Sequence, residues 1–124
     1  SEAFRAVADT FIGHAAKGEA EALLALISPN MLEYAGPEAV SGILARSVIP
    51  FFEPFRAVAT NVTITETTDG FGSHGFAYYM YAESKKKKEK PRPFVIYMVR
   101  EGDAIVVANI LVDHFVEGRH QPLG

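Results

Sequence analysis

The sequence contains no cysteine. This absence excludes disulfide bonds, a thiolate nucleophile and every metal site that needs sulfur ligands. No apolar stretch approaches the roughly 18 to 20 residues of a membrane-spanning helix, and the first residues lack the basic and apolar regions of a signal peptide. We therefore expect no membrane association and a cytoplasmic protein, with secretion or a periplasmic location after removal of a signal peptide as the alternative.

Motifs of several enzyme classes are also missing. The four histidines stand at positions 14, 74, 114 and 120, and no two of them form an HxH or HxxxH pair. The chain has no phosphate loop, no GxSxG elbow and no GxGxxG motif. We expect neither a metal nor a cofactor.

The composition is that of one folded domain over residues 1–124, with 48% hydrophobic and 22% charged residues. The net charge is −3, but the segment 85–92 carries +5, so the rest of the chain carries −8. Aromatic residues do not alternate with these basic ones, and the acidic remainder would repel a polyanion, so we expect no nucleic-acid binding. The segment is instead predicted to be an exposed hairpin tip that could dock an acidic partner or steer an anionic ligand.

Hydrophobic periodicity predicts helices first and strands afterwards. The predicted helices span 4–16, 19–27 and 43–49, the last restarted by Pro50 into 51–55, with a short strand at 31–34 and a turn at 35–38. The predicted strands are 57–67, 76–84, 93–101 and 104–116, the last being the longest. Short turns between consecutive strands make them antiparallel, so the fold class is α+β, with three N-terminal helices packed on a curved antiparallel sheet.

Four sequence features carry a resemblance to a known family. They are AAKGE at 15–19, ALISPN at 25–30, Gly42 before the third predicted helix, and EGD at 101–103 before a long final strand. With this element order, the chain resembles the NTF2-like superfamily, in particular its SnoaL-like and ketosteroid-isomerase-like branch. The resemblance implies a cone that encloses an apolar pocket, in a superfamily of isomerases, cyclases, epoxide hydrolases and non-catalytic binding proteins.

The resemblance also tests one particular enzyme mechanism. The family's oxyanion-hole tyrosine would fall at Phe11, its general-base aspartate near Ala35, and its protonated aspartic acid at about Tyr97. Only Tyr97 could donate a hydrogen bond, and no carboxylate takes the place of the base. Steroid isomerisation by the family route is therefore disfavoured.

Alternation on the last predicted strand groups His114 with the apolar residues Val106, Ala108, Ile110 and Val112. On that basis His114 would stand at the open end of the pocket as a general base or ligand contact; the alternative is a strand-end histidine whose ring bonds water or backbone. Asp113 would point the other way, towards solvent or a partner, unless a bulge turned it inward.

Tyr97 and Tyr78 are the predicted hydrogen-bond donors, with hydroxyls aimed at a common cavity; ordinary core filling is the alternative. The predicted catalytic residues are His114, Tyr97 and Asp113. The predicted ligand-pocket residues are Phe11, His14, Tyr34, Tyr78, Met80, Ala108, Ile110 and Val112. His74 and His120 are expected to be solvated, in a loop and a tail.

The functional hypothesis is a pocket for a small, mostly apolar molecule, with isomerase, cyclase or hydrolase activity on a hydrophobic carbonyl or epoxide compound if the protein is an enzyme. The alternative is a non-catalytic ligand-binding or dimerisation module. The mixed apolar and polar odd-numbered face of the last strand, together with the resemblance, predicts a homodimer through the sheet.

Overall fold

The computed structural model describes residues 2–86 and 88–123, with side chains described outside 56–61. Ser1, Gly124 and Lys87 of the basic segment lie outside the described residues. The helices are α1 (Glu2–Ala16), α2 (Ala20–Leu26), α3 (Pro29–Ala35), α4 (Pro37–Ile43) and α5 (Ile49–Phe52), with a π-helical turn at Leu44–Val48. The strands are β1 (Phe55–Thr68), β2 (His74–Ser84), β3 (Arg92–Glu101) and β4 (Ala104–Val112). The predicted α+β class is confirmed, and β1 rather than the last strand is the longest.

Helix α1 forms the inner layer of the core. The apolar positions that predicted it are the ones it buries, Phe4, Ala8, Phe11, Ile12 and Ala15. The helix ends at Ala16, and Gly18 follows with a positive φ of 72° and an N–H that donates to the carbonyl of Ala15 at 3.0 Å. The predicted boundaries of this helix are confirmed to within two residues.

The four strands pair in chain order, β1-β2-β3-β4, and every neighbouring pair is antiparallel. One face, which we call the helix-side face, packs on α1 and carries Phe76, Tyr78 and Met80 of β2 and Phe94, Ile96 and Met98 of β3. The opposite face, which we call the far face, carries the alternate residues, among them Tyr79, Tyr81, Val95 and Tyr97. The segment 85–92 connects β2 to β3, as predicted, and its described lysines are exposed.

A bulge in β4 overturns the predicted faces of this strand. Tyr97 pairs with Asn109 and Met98 pairs with Val107, so Ala108 is an extra residue. The extra residue reverses the alternation, and Val107 and Ile110 therefore both pack on the helix-side core. The prediction that all even-numbered residues of this strand share one face is wrong.

The predicted short strand at 31–34 is helix α3 instead. Ser28 is its N-cap, with a hydroxyl that accepts the Met31 N–H at 3.3 Å, and Pro29 occupies the first helical position, where its missing N–H costs nothing. The only strand-like pairing near this segment, within the described residues, is a single parallel bridge from Ile27 to Val107. Ser-Pro therefore starts a helix here, although the sequence suggested that it only ends one.

The N-cap of α3 is hydrogen-bonded to the β3–β4 hairpin of the sheet. The buried Ser28 hydroxyl donates to Oε2 of Glu101 at 2.6 Å, and the Asn30 N–H donates to Oε1 of the same carboxylate at 3.1 Å. Glu101 is the last residue of β3. One carboxylate thus joins the N-terminus of α3 to the β3–β4 hairpin, where the helix dipole favours a negative charge.

We expect Ser28→Ala to lower the free energy of unfolding by about 2 kcal/mol, because the change removes an N-cap and one charge-assisted hydrogen bond from a buried position. Chemical denaturation of the variant measures this. Ser41→Ala is the matched control, since Ser41 is exposed. Equal midpoints for Ser28→Ala and Ser41→Ala would contradict the assigned role.

The predicted third helix begins six residues earlier than expected, at Pro37, and Gly42 lies inside it. Pro50 has no N–H to donate to the preceding turn, and the chain responds with the π-helical turn, closed by a bond from the Ile49 N–H to the Leu44 carbonyl. The helix resumes as α5, which buries Phe51 and Phe52 against Phe94. Pro50 thus widens the helix and does not end it.

The last strand ends at Val112, four residues before the predicted end. Asp113 has a φ of 54°, a left-handed conformation that terminates the strand, and its carboxylate pairs with Arg92. The pKa of Arg92 is raised above its ordinary value, mainly by the hydrogen bonds with Asp113. His114 follows the strand and does not belong to it.

The C-terminal segment then folds back over the far face. His120 is 4% exposed, contrary to the predicted solvated tail, and its ring packs against Tyr79, Tyr81 and Phe115. Nδ1 accepts the Val116 N–H at 2.9 Å, so Nε2 carries the proton and donates to the Phe94 carbonyl at 3.1 Å. This segment is a structural part of the domain.

Candidate functional site

The three predicted catalytic residues lie apart. His114 is exposed, and its backbone N–H bonds the Pro93 carbonyl. Asp113 is exposed and held by Arg92, so it points away from the core, as the sequence suggested. Tyr97 is half-buried on the far face. No described contact links any two of these three side chains, and their catalytic roles stay predictions.

Tyr78 and Tyr97 occupy opposite faces of the sheet, so the prediction of a common cavity for their hydroxyls is wrong. The register explains this, because Tyr97 pairs with Ala77 and therefore shares a face with Tyr79. Burial raises the pKa of both tyrosines, and a hydrogen bond between the Tyr97 and Tyr79 hydroxyls raises that of Tyr97 further. Both phenols therefore remain protonated at neutral pH.

The other predicted pocket residues have mixed positions. Phe11 and Met80 are fully buried in the core, and Val112 is half-buried against it. His14 is half-buried, with Nδ1 2.9 Å from Oε1 of Glu19, a contact that lowers the pKa of Glu19. Tyr34 is 76% exposed, because α3 turns it outward. Among the pockets that the structure describes, one contains two of these predicted residues, Ala108 and Ile110.

That pocket, which we call the apolar pocket, lies between α3, α4 and β4 and has a volume of about 120 Å³. Gly36, whose φ is 90°, connects α3 to α4, and both helices contribute residues to the wall. It has no ionisable side chain in its wall. Its wall consists of Ile27, Met31, Ala35, Val40, Ile43, Leu44, Ala108, Asn109 and Ile110.

A second pocket, which we call the polar pocket, lies between α3, the end of β1 and the bulge of β4. Its volume is about 220 Å³. Oδ1 of Asp69 accepts the N–H groups of Phe71 and Ser73 at 2.8 and 3.0 Å. Oδ2 of Asp69 is covered and accepts no hydrogen bond from the described residues. The wall consists of Met31, Thr67, Thr68, Asp69, Tyr97, Ala108 and Asn109.

The two pockets adjoin, because Met31, Ala108 and Asn109 belong to both walls. Oδ1 of Asn109 accepts the Ile110 N–H at 2.8 Å, which leaves the amide nitrogen for other partners. One side of this shared wall is hydrocarbon, and the other side offers a carboxylate, a phenol and hydroxyls. Such a composite site suits a molecule with an apolar body and one polar end.

An exposed aromatic pair joins the two segments that flank the polar pocket. Tyr34 of α3 and Phe71 of the β1–β2 turn touch edge to face, with centroids 5.8 Å apart. Phe71 is 49% exposed, so little packing holds this contact in place. The Phe71 N–H is bonded to the Asp69 carboxylate, which links this aromatic pair to the wall of the polar pocket.

The sequence analysis names Tyr97, Ala108 and Ile110 of this composite site but misses Met31, Asp69 and Asn109. Met31 was assigned to a strand, and Asp69 was treated only as a turn residue. The bulge that brings Ala108 and Asn109 to the pockets has no signal of its own in the apolar run 104–112. The one available signal was Ser-Pro followed by a helical pattern, which is typical of a helix start.

The chain matches no family model, and the comparisons with curated proteins and with solved structures find no match. The resemblance to the NTF2-like superfamily therefore stays a prediction. Of the positions it relates to the family's catalytic groups, Phe11 lies in the core, Ala35 in the apolar pocket and Tyr97 in the polar pocket.

Two further observations bear on partners. The described helices include none that could span a bilayer, and the described residues contain no cluster of three potential metal ligands. The homodimer also stays a prediction. On the far face Val95 and Val99 are already fully buried within one chain, and the C-terminal segment lies against Tyr79 and Tyr81.

Proposed function

We propose that the protein binds a small, mostly apolar molecule with one hydrogen-bond-donating end, in the composite site formed by the apolar and polar pockets. The observation that carries the proposal is the wall that both pockets share, Met31, Ala108 and Asn109. A ligand that crossed this wall would bury its hydrocarbon against Ile43 and Ile110 and bring its polar end to Asp69.

The polarity of the site supports the choice of a donor. Oδ2 of Asp69 is a buried acceptor without a partner among the described residues, and a buried acceptor gains most from a ligand that donates to it. The Tyr97 hydroxyl stays protonated, so it adds no second negative charge. An amine or alcohol fits this arrangement better than a carboxylate, which Asp69 would repel.

Binding is a better-supported function than catalysis in these two pockets. Their walls contain one carboxylate, Asp69, and no histidine, and His114 lines neither pocket. Of the three predicted catalytic residues, Tyr97 is the one that lines either pocket. We therefore propose ligand binding, with the catalytic alternative kept as a prediction.

The test is a titration of the isotope-labelled chain with hexylammonium and with hexanoate, followed by nuclear magnetic resonance. We expect hexylammonium to bind at least about tenfold more tightly, because Asp69 attracts its charge. Asp69→Asn should abolish this difference, while the Asn side-chain oxygen still accepts the two N–H groups of the turn. Equal affinities for the two probes in the unmodified chain would refute the proposal.

Replacing an exposed isoleucine of the apolar pocket tests whether the ligand covers the apolar wall. Ile43→Ser should weaken hexylammonium binding about fivefold, because Ile43 lines the apolar pocket and a ligand would cover it. Ile64→Ser is the matched control, since Ile64 has similar exposure, 48% against 52%, and lies outside both pockets. The same effect from both variants would mean that the probe binds elsewhere.

A further inference from the structure

The largest of the described pockets lies beside the N-terminal end of α1, at Phe4. It has a volume of about 310 Å³ and lies on the helix-side face, between the first turn of α1 and the ends of β1, β2 and β3. Its wall consists of Phe4, Glu66, Thr67, His74, Gly75, Phe76 and Arg100. It shares only Thr67 with the polar pocket and no residue with the apolar pocket.

Arg100 gives this pocket a positive charge that forms no ion pair with the described residues. Its guanidinium lies over the ring of Phe4, 5.2 Å from the centroid, and Phe4 in turn meets Phe76 edge to face at 5.1 Å. No carboxylate among the described residues pairs with Arg100, in contrast to Arg5 and Arg92, which pair with Asp9 and Asp113. Stacking on Phe4 orients the guanidinium while its N–H groups stay free for a ligand.

His74 stands beside Arg100. Gly75 pairs with Val99, so the next opposed positions at the strand ends are His74 and Arg100. His74 is exposed and lines the same pocket. Even a neutral imidazole donates one N–H, so the pair presents two donors to one anion.

Glu66 limits the negative charge that a ligand of this pocket can carry. It pairs with Phe76 across the β1–β2 ladder, lines the pocket and has no ion-pair partner among the described residues. A ligand with one negative charge at the Arg100 end avoids Glu66, whereas a second negative charge along the wall would be repelled. Phe4 and Phe76 are the aromatic residues of the same wall.

We propose that this pocket is a second ligand site, for a small aromatic monocarboxylate. The carboxylate would bind Arg100 in the two-pronged geometry that a guanidinium favours, with His74 as an additional donor. The ring of the ligand would pack on Phe76 and the edge of Phe4. Glu66 acts as the selectivity element against dianions. This proposal does not depend on the function proposed for the composite site.

The test uses benzoate as the probe on the full chain, with phthalate as the dianion and benzylammonium as the cation. We expect saturable benzoate shifts at the Arg100 side chain and at the His74 ring. Arg100→Gln should weaken benzoate binding about tenfold. Arg100→Lys keeps the positive charge but loses the two-pronged guanidinium geometry, so its benzoate affinity should lie between those of Arg100→Gln and the unmodified chain. Glu66→Gln should strengthen benzoate binding about two- to fivefold and admit phthalate.

Arg119→Gln is the charge-matched control, because Arg119 is exposed in the C-terminal segment, and it should leave benzoate binding unchanged. Thermal unfolding of each variant shows whether it is folded. Ile43→Ser should also leave benzoate binding unchanged, which separates this site from the composite site. Equal benzoate affinity of Arg100→Gln and the unmodified chain, or benzylammonium binding as tightly as benzoate, would overturn the proposal.

Discussion

Gly75→Ala should lower the free energy of unfolding by about 3 kcal/mol or more, the largest effect that we expect from adding a single methyl group to this chain. A Cβ at this position would overlap the carbonyl oxygen of Met98 and lie 2.6 Å from the Cα of Val99. Both are backbone atoms of β3, the strand that pairs with Gly75. Because backbone in a paired strand cannot turn aside as a flexible side chain can, the two strands would have to separate. Equilibrium denaturation measures the loss.

Gly13→Ala is the matched control, with the opposite expected sign. Gly13 lies inside α1, and its added Cβ would have no atom within 4 Å. Alanine is the better helix former, so this variant should be more stable by about 0.5 to 1 kcal/mol. If both variants were destabilised to the same extent, the close approach of β2 and β3 at Gly75 would not be the cause.

The order of elements could be predicted because it depends on local patterns. The 3.6-residue spacing of Phe4, Ala8, Phe11 and Ala15 defines α1, and short turns between apolar strands dictate an antiparallel sheet in chain order. These signals lie within one element or between neighbours. The α+β class therefore follows from the sequence alone.

The composite site could not be predicted, because it depends on one inserted residue. The run 104–112 is almost uniformly apolar, so nothing in it indicates that Ala108 is bulged. Shifting the alternation at this residue changes which side chains face α1 and which face Met31. Ala108 therefore packs with Val99 and Tyr97 on the far face, whereas Ile110 and Val112, which were predicted to share its face, pack on the helix-side core.

The prediction that His120 is solvated is wrong for a related reason, because residues distant in the sequence form its environment. Its ring contacts Tyr79 and Tyr81 of β2, and its Nε2 bonds the Phe94 carbonyl of β3. A histidine four residues from the end of the sequence has no local pattern that indicates burial. Only the path of the chain after Asp113, with its left-handed φ of 54°, brings it to the far face.

His120→Ala should therefore lower the free energy of unfolding by about 3 kcal/mol, because it removes a buried ring and leaves the Val116 N–H and the Phe94 carbonyl without their side-chain partner. His114→Ala is the matched control. Its side chain is exposed, so we expect a change within about 0.5 kcal/mol. Denaturation curves of the two variants give the comparison.

The same variant shows whether His120 holds the C-terminal segment on the sheet. The Tyr81 hydroxyl also contacts this segment, because it donates to the Gln121 carbonyl at 2.9 Å. Since the segment lies on the far face, His120→Ala should loosen the segment and leave the helix-side core intact. Faster tryptic cleavage after Arg119 would report the loosening. The segment covers part of the sheet face that is predicted to form the homodimer. If two chains meet at this face, release of the segment should increase dimer formation, which light scattering measures. Unchanged stability and unchanged cleavage would mean that the segment is not anchored by His120.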